Sequence, residues 1–428
     1  SPGGSLNPPM SELAVPSAYP DLAQAASQIV GKDHVRGPRE SESRAATLIA
    51  EPASAEQIST LVRMCENDHV TLAPMGAART LSLIRRKPVV LGISLARMNR
   101  IIAHEPADMT VTVEAGITLG ELNRTLASHR QHLALDPAFP DTVTIGSLIG
   151  ASQAGPIRLS RGRVRDLLIG IQYVGRAGRI VRGGGRVVKN VAGYDLMKVM
   201  TGSFGTLGIV TETTFKVSPI PENYEIATAS FSNPQDAFAA VDGVVARISP
   251  VHIEVPSMDA SVALGHCEDF HVIAGIAGNA PELEYQRSVL GSATTRTTGE
   301  EAQAVYLRLR DFTFPENSIV AQIAVPPGEL SRCVRGCNAE FRAHGGSGVA
   351  QLWIEHGGET DAQAVARWRS MARSANGNLR LLAAPASIRD SLAAFDQPAP
   401  GALELMKRLK AAFDPESIFN PGCFVGGI

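Results

Sequence analysis

Along the first half of the chain, apolar positions fall into short, separate patterns. Ile58, Leu61, Val62 and Cys65 recur at helical spacing behind Ser54-x-x-Gln57, a capping-box signature, and predict a helix. Thr118-x-x-Glu121 opens a second helix with Leu119, Leu122 and Leu126 inward. Leu22, Ala25, Ala26 and Ile29 suggest a shorter one over 21–30. Val70–Ala73 and Val89–Ile93 read as strands, and Ile101–His104 with Met109–Ala115 as a hairpin. In its second strand Val111 and Val113 take one face, and Thr110, Thr112 and Glu114 the other. Leu168–Val174 with Arg179–Arg182 predicts another hairpin, and Gly208–Val217 a further strand.

Pro219-Ile220-Pro221 marks a boundary. Beyond it strands near 224–231, 250–255, 271–276, 318–325, 348–354 and 378–383 alternate with helices near 234–247, 280–290, 328–343 and 361–374. This order predicts an antiparallel sheet with helices on one face. The charged stretch 295–317 fits neither element. A final helix, Ala402–Phe413, leads into Asp414–Phe424.

Composition adds limits. Of 428 residues, 44% are hydrophobic and 19% charged, and the formal net charge is −2, which gives no field for nucleic acid. Five cysteines (65, 267, 333, 337, 423) form no Cys-x-x-Cys pair, so neither zinc nor iron–sulfur ligation is readable, and no metal site is expected. No apolar run reaches the ~18–20 residues of a membrane span. Ser1–Pro9 reads as an appended segment ahead of Met10.

Candidate chemistry lies in small-residue loops at strand ends: 74–80, 144–150, 155–162 and 202–208. One such loop is ordinary turn chemistry. Four at comparable positions suggest one extended ligand with a diphosphate, met by backbone amides and by a helix start at Gly146. Gly183-Gly184-Gly185 precedes an apolar-basic run and not a helix, so the dinucleotide fingerprint fails, and no Walker pattern occurs. Arg158, Arg161, Arg163 and Arg165 could face phosphates or solvent. Lys189 and Asn190 could meet a ring edge or a carboxylate, or serve as a cap. Asp195 reads as a helix N-cap, and His344 and His356, which flank a strand, as catalytic candidates or, more simply, turn residues.

The run Lys189–Leu196 with Gly202–Glu212, the Gly155-Pro-x-Arg158 segment, the pair Arg165-Asp166 and the ending Asp414-Pro415…Asn420-Pro421-Gly422 resemble the vanillyl-alcohol oxidase / p-cresol methylhydroxylase (PCMH) superfamily of FAD-binding proteins. Within it they are most similar to the E subunits of bacterial glycolate oxidases. The resemblance implies an α+β fold: a two-subdomain PCMH-type FAD-binding domain over 41–218, an antiparallel-sheet α+β cap over 219–400, and residues 401–428 returning to the FAD domain, with 1–40 as an N-terminal extension. It places FAD against Pro74, Met75, Gly76, Ala77, Ala78, Arg79 and Thr80 and against Pro137, Thr142, Thr144, Ile145, Gly146, Ser147, Gly150, Ala151 and Ser152. The same site would draw on Gly155, Arg158, Gly162, Lys189, Asn190, Gly205, Gly208, Ile209, Val210 and Asn420.

Two departures stand out. The family's first loop, Arg-Gly-x-Gly-Thr, reads Met75-Gly76-Ala77-Ala78-Arg79-Thr80, and its Thr-x-Gly-Gly reads Thr144-Ile145-Gly146-Ser147. Neither loop carries a His or Cys, which implies non-covalent FAD. The cap lacks the His-Gly-Asp-Gly-Asn of hydroxy-acid dehydrogenases and has His344-Gly345-Gly346-Ser347-Gly348 instead. The catalytic residues therefore stay unassigned. The implied function is an FAD-binding subunit that takes part in 2-hydroxy acid or alcohol oxidation and in electron transfer. Its partners would be a sister dehydrogenase and an iron–sulfur subunit. It would lie in the cytoplasm, or peripheral to the inner membrane through those partners. The alternatives are a standalone FAD-linked oxidase or dehydrogenase and a cofactor-less scaffold subunit.

Overall fold

In the computed structural model, four sheets order the chain, and residues 19–76, 87–185, 194–267, 269–291, 294–357 and 361–428 are described. Near the start, Val35–Arg36, Ala46–Ala50, Val89–Ser94 and Leu72–Met75 stand side by side in that order. The last three run parallel to one another. Helix Ala55–Asn67 connects two of these strands, with Ser54 Oγ accepting from the Gln57 N–H as its sequence predicts. Helix Pro20–Val30 buries Ala23, Ala26 and Val30 in the same core.

A second, antiparallel sheet follows: Ile101–Glu105, Thr110–Glu114, Ile209–Lys216, Leu168–Val174 and Ile180–Gly184. Thr110–Glu114 is covered on both faces, so the polar alternation seen in its sequence is internal. Thr112 Oγ1 pairs with Thr214 Oγ1 at 3.0 Å, and Glu114 takes Arg100. One apolar core joins these two sheets, including Phe215, Ile418 and Phe419.

Residues 223–383 build an eight-stranded antiparallel sheet. Its order is Thr295–Thr298, Asn223–Phe231, Phe270–Gly278, His252–Pro256, Glu340–His344, Val349–Glu355, Ser318–Ala324 and Asn378–Ala383. Pro234–Val245, Ala280–Leu290, Leu330–Gly336 and Asp361–Ser374 pack one face around Trp368. The other face is also occupied: Met258–Ala263 and Gly299–Arg310 share a core there with Phe312 and Trp353. One-sided packing is thus corrected. The ambiguous stretch 295–317 supplies an edge strand and a helix that buries only Ala302, Val305 and Leu309, a stripe too narrow to stand out among its charges. The helix expected over 328–343 stops at Gly336, because Asn338 turns left-handed (φ 49°) and Phe341 and Ala343 then alternate inward as a strand.

The last helix, Pro400–Phe413, returns to the first core. Leu72 N–H donates to Ile418 O and Asn420 N–H to Leu72 O, so the tail lies along the free edge of Leu72–Met75. Lys410 Nζ is buried where it donates to Thr206 O (2.8 Å), Phe419 O (2.9 Å) and Asp414. No helix among the described residues is long and apolar enough to cross a membrane.

Candidate functional site: the interdomain cleft

A cleft of about 870 Å³ separates the first two sheets from the large one. Its floor begins where the parallel strand Leu72–Met75 ends, at Gly76. A Cβ there would sit 2.9 Å from Thr144 Oγ1 and 3.1 Å from Ser147 Cβ, so only glycine lets this turn lie against the next loop. Thr144 caps helix Ile145–Ala151 by accepting the Ser147 N–H at 3.2 Å. The first-turn amides of that helix are otherwise consumed: Ile145 N–H donates to Ile117 O and Gly146 N–H to Ala115 O, at 2.9 and 2.7 Å. The expectation of an anion held by the helix start at Gly146 is therefore corrected, because its donors already have acceptors inside the protein.

Free amides lie elsewhere. Gly205 (φ 70°) and Gly208 (φ 148°) adopt backbone that favours glycine, and among the described residues their N–H groups take no backbone carbonyl. Asn420 sets this loop from behind by donating Nδ2 to Phe204 O.

Of the residues predicted from sequence, Pro74, Met75, Gly76, Pro137, Thr142, Thr144, Gly146, Ser147, Gly150, Ala151, Ser152, Arg158, Gly205, Gly208 and Val210 line the cleft. Ile145, Gly155, Gly162, Ile209 and Asn420 do not; Ile145, Ile209 and Asn420 are buried behind it. Ala77, Ala78, Arg79, Thr80, Lys189 and Asn190 lie outside the described residues. Asp195 accepts the Lys198 N–H as an N-cap.

The opposite wall brings residues that the sequence did not single out. Arg380, in the apolar strand Asn378–Ala383, points across to the first half and donates Nη1 to Ala151 O at 3.1 Å. Burial and then Arg158 hold its guanidinium below the ordinary arginine range. Burial and then Arg163 do the same to Arg158. Neither forms an ion pair among the described residues. Arg158 and Arg380 thus face one cleft, which Arg389 and Glu316 also line, with no ion-pair partner of their own among the described residues, an arrangement whose desolvation cost an anion would offset. A basic residue inside an apolar strand is the one signal that could have flagged Arg380.

Behind this wall lies a buried polar network. Asp136 Oδ2 accepts from Ile157 N–H and Tyr306 O–H, each at 2.9 Å, and burial pushes its carboxyl up to about 7. Tyr224 Oη meets His252 Nε2 at 2.8 Å. His344, expected as a turn residue, ends a strand and pairs with Glu254 at 2.7 Å. Arg342 donates to Gln351 Oε1 at 2.7 Å, and Gln351 lines the cleft. No cluster of His, Cys, Asp and Glu among the described residues forms a metal site.

Known proteins agree with this geometry. Residues 46–184 match the FAD binding domain and residues 395–423 the FAD linked oxidases C-terminal domain. Over 411 residues, 87% of each chain, the protein is 27% identical to glycolate oxidase subunit GlcD of Bacillus subtilis. It is 38% identical to glycolate oxidase subunit GlcE of Escherichia coli over 122 residues, 28% of this chain and 35% of that subunit. Its fold is that of p-cresol methylhydroxylase with substrate bound, with a TM-score of 0.70 at 14% identity, covering 95% of this chain and 97% of that one. The residues present fit FAD: Gly76, Gly150, Gly205 and Gly208 line the cleft, a Cβ on Gly205 would meet Pro74 Cγ at 2.4 Å, and a Cβ on Gly150 would meet nothing within 4 Å, so backbone there is open to a ligand. The chain thus carries an FAD binding domain and a segment like the C-terminal domain of FAD linked oxidases, and it is an FAD-dependent oxidoreductase with a PCMH-type α+β fold.

Proposed function

We propose that this chain is the FAD-bearing subunit of a glycolate-oxidase-like complex that oxidises a 2-hydroxy acid, with FAD held non-covalently by the first domain. The observation that carries the substrate class is the unmatched pair Arg158 and Arg380 in the cleft. Two guanidinium forks recognise a carboxylate as they do a phosphate, and here they would orient a substrate carboxylate toward the reactive ring. Pro74–Gly76, Thr144–Ser147 and Gly205–Gly208 would hold the cofactor. Bound FAD supplies acceptance of two electrons and their onward delivery singly.

The described residues lining the cleft include no histidine. This supports the reading in which a sister subunit carries a proton-abstracting group and an iron–sulfur subunit takes the electrons. The purified chain should be yellow and lose its flavin on denaturation, and it should reduce a dye acceptor with glycolate or D-lactate far faster once its partner subunits are added. A colourless chain that takes up no added FAD would overturn the cofactor role. Full turnover by the chain alone would favour a standalone dehydrogenase.

A further inference from the structure

Next to Asn317, Pro385 and Ala386, which line the cleft, three side chains that do not line it stand in series. His356 follows strand Val349–Glu355. Its Nδ1 is hydrogen bonded to Oδ2 of Asp361, the first residue of helix Asp361–Ser374. Its Nε2 lies 3.1 Å from Oγ of Ser387, in the turn of helix Ala386–Arg389. Asp361 is 5% exposed and accepts only, so it fixes the proton on Nδ1 and leaves the Nε2 lone pair facing the Ser387 hydroxyl. The backbone holds the ring's base: His356 N–H donates to Asn317 O at 2.9 Å.

The order hydroxyl, imidazole, buried carboxylate is the arrangement by which an alcohol is made nucleophilic, and 3.1 Å is within proton-transfer reach. A purely structural role accounts for the His356–Asp361 pair, which ties the strand end to a helix. It accounts poorly for Ser387, which is exposed and whose hydrogen bond to the ring adds little to stability. Ser387 is also accessible: its neighbours Pro385 and Ala386 line the cleft mouth together with Asn317.

We propose that Ser387 is an activated nucleophile toward small carboxylic esters, with His356 as its base and Asp361 as a positioning residue. Ser387 Oγ bonds to the acyl carbon as its proton passes to His356 Nε2. The bond from the acyl carbon to the ester oxygen breaks, and His356 returns the proton to the departing alcohol. Water then repeats the sequence on the acyl-serine and releases the acid, with no net oxidation.

The test uses the full flavin-loaded chain with a fluorophosphonate probe, and peptide mass spectrometry locates the adduct. Ser387 should be labelled ahead of every other exposed serine, at a rate that rises with pH as expected when a general base must be unprotonated. His356→Asn should slow labelling by about 100-fold or more at an unchanged flavin spectrum. Asp361→Asn should lower the rate and shift the pH inflection, and Ser387→Ala should abolish both labelling and p-nitrophenyl acetate hydrolysis. If His356→Asn fails to fold, the pH profile of the unmutated chain decides. An unlabelled Ser387, or a rate flat across pH 5–8 or indifferent to His356, would overturn the proposal.

Discussion

Arg380 shows how much one residue can settle. A half-buried guanidinium facing the cleft, bonded among the described residues only to a backbone carbonyl, is costly until an anion arrives. Arg380→Met should leave the melting temperature unchanged or higher, while KM for the hydroxy acid rises roughly 10–100-fold, the worth of a charged hydrogen bond; steady-state kinetics of the complex would show it. Asp136 gives a pH prediction. Its folded value, about 7, lies above the ~3.9 of an unfolded aspartate. Its contribution is therefore fully present below pH ~4 and lost as pH rises through 7. Asp136→Asn keeps an acceptor for Ile157 and Tyr306 without the titration. Melting curves should show the variant gaining on the parent between pH 5 and 8, by at most about 3 kcal/mol.

Among the elements, the loop Ser203–Gly208 would most directly shape the proposed cofactor wall, since Ser203, Phe204, Gly205 and Gly208 line the cleft. Gly205→Val would force a β-branched residue to φ 70° and drive its Cβ into Pro74. The strain is about 1–3 kcal/mol, and the measured outcome should be a lower flavin-to-protein absorbance ratio. Such loops were legible in the sequence, because small residues cluster wherever backbone must approach something. Capped helices were legible for the same local reason: Ser54 and Thr118 cap where their spacing predicts. Gly146 was misleading because a helix start looks identical in sequence whether its amides meet a ligand or, as here, the carbonyls of Ala115 and Ile117. That choice is made by a tertiary neighbour. Asn420 was similarly ambiguous: its motif marks the site, but its side chain supports Phe204 from beneath.

For the whole molecule, the return of the C-terminal helix ties the two ends of the first domain together. Lys410 sits among two carbonyls and Asp414, which is 1% exposed. Lys410→Met would leave that carboxylate buried and unpaired, and should cost about 3–5 kcal/mol in denaturant unfolding. The change of pattern after Pro219–Pro221 coincides with the first strand of the eight-stranded sheet, Asn223–Phe231. What the sequence could not reveal was the second covered face of the large sheet and the arginine crossing the cleft. Both depend on which surfaces meet, and periodicity within one element does not encode that.

The pairing of Leu72 with the tail also has a temporal side. Its partners, Ile418 to Asn420, are made almost 350 residues later. At about 5–20 residues per second, the Leu72–Met75 edge stays without its partner for roughly 20–70 s on the ribosome. An open strand edge is a template for unwanted pairing. Nascent chains stopped short of Ile418 should therefore pellet from solution or be captured by chaperones, whereas chains carried past Asn420 should stay in the supernatant.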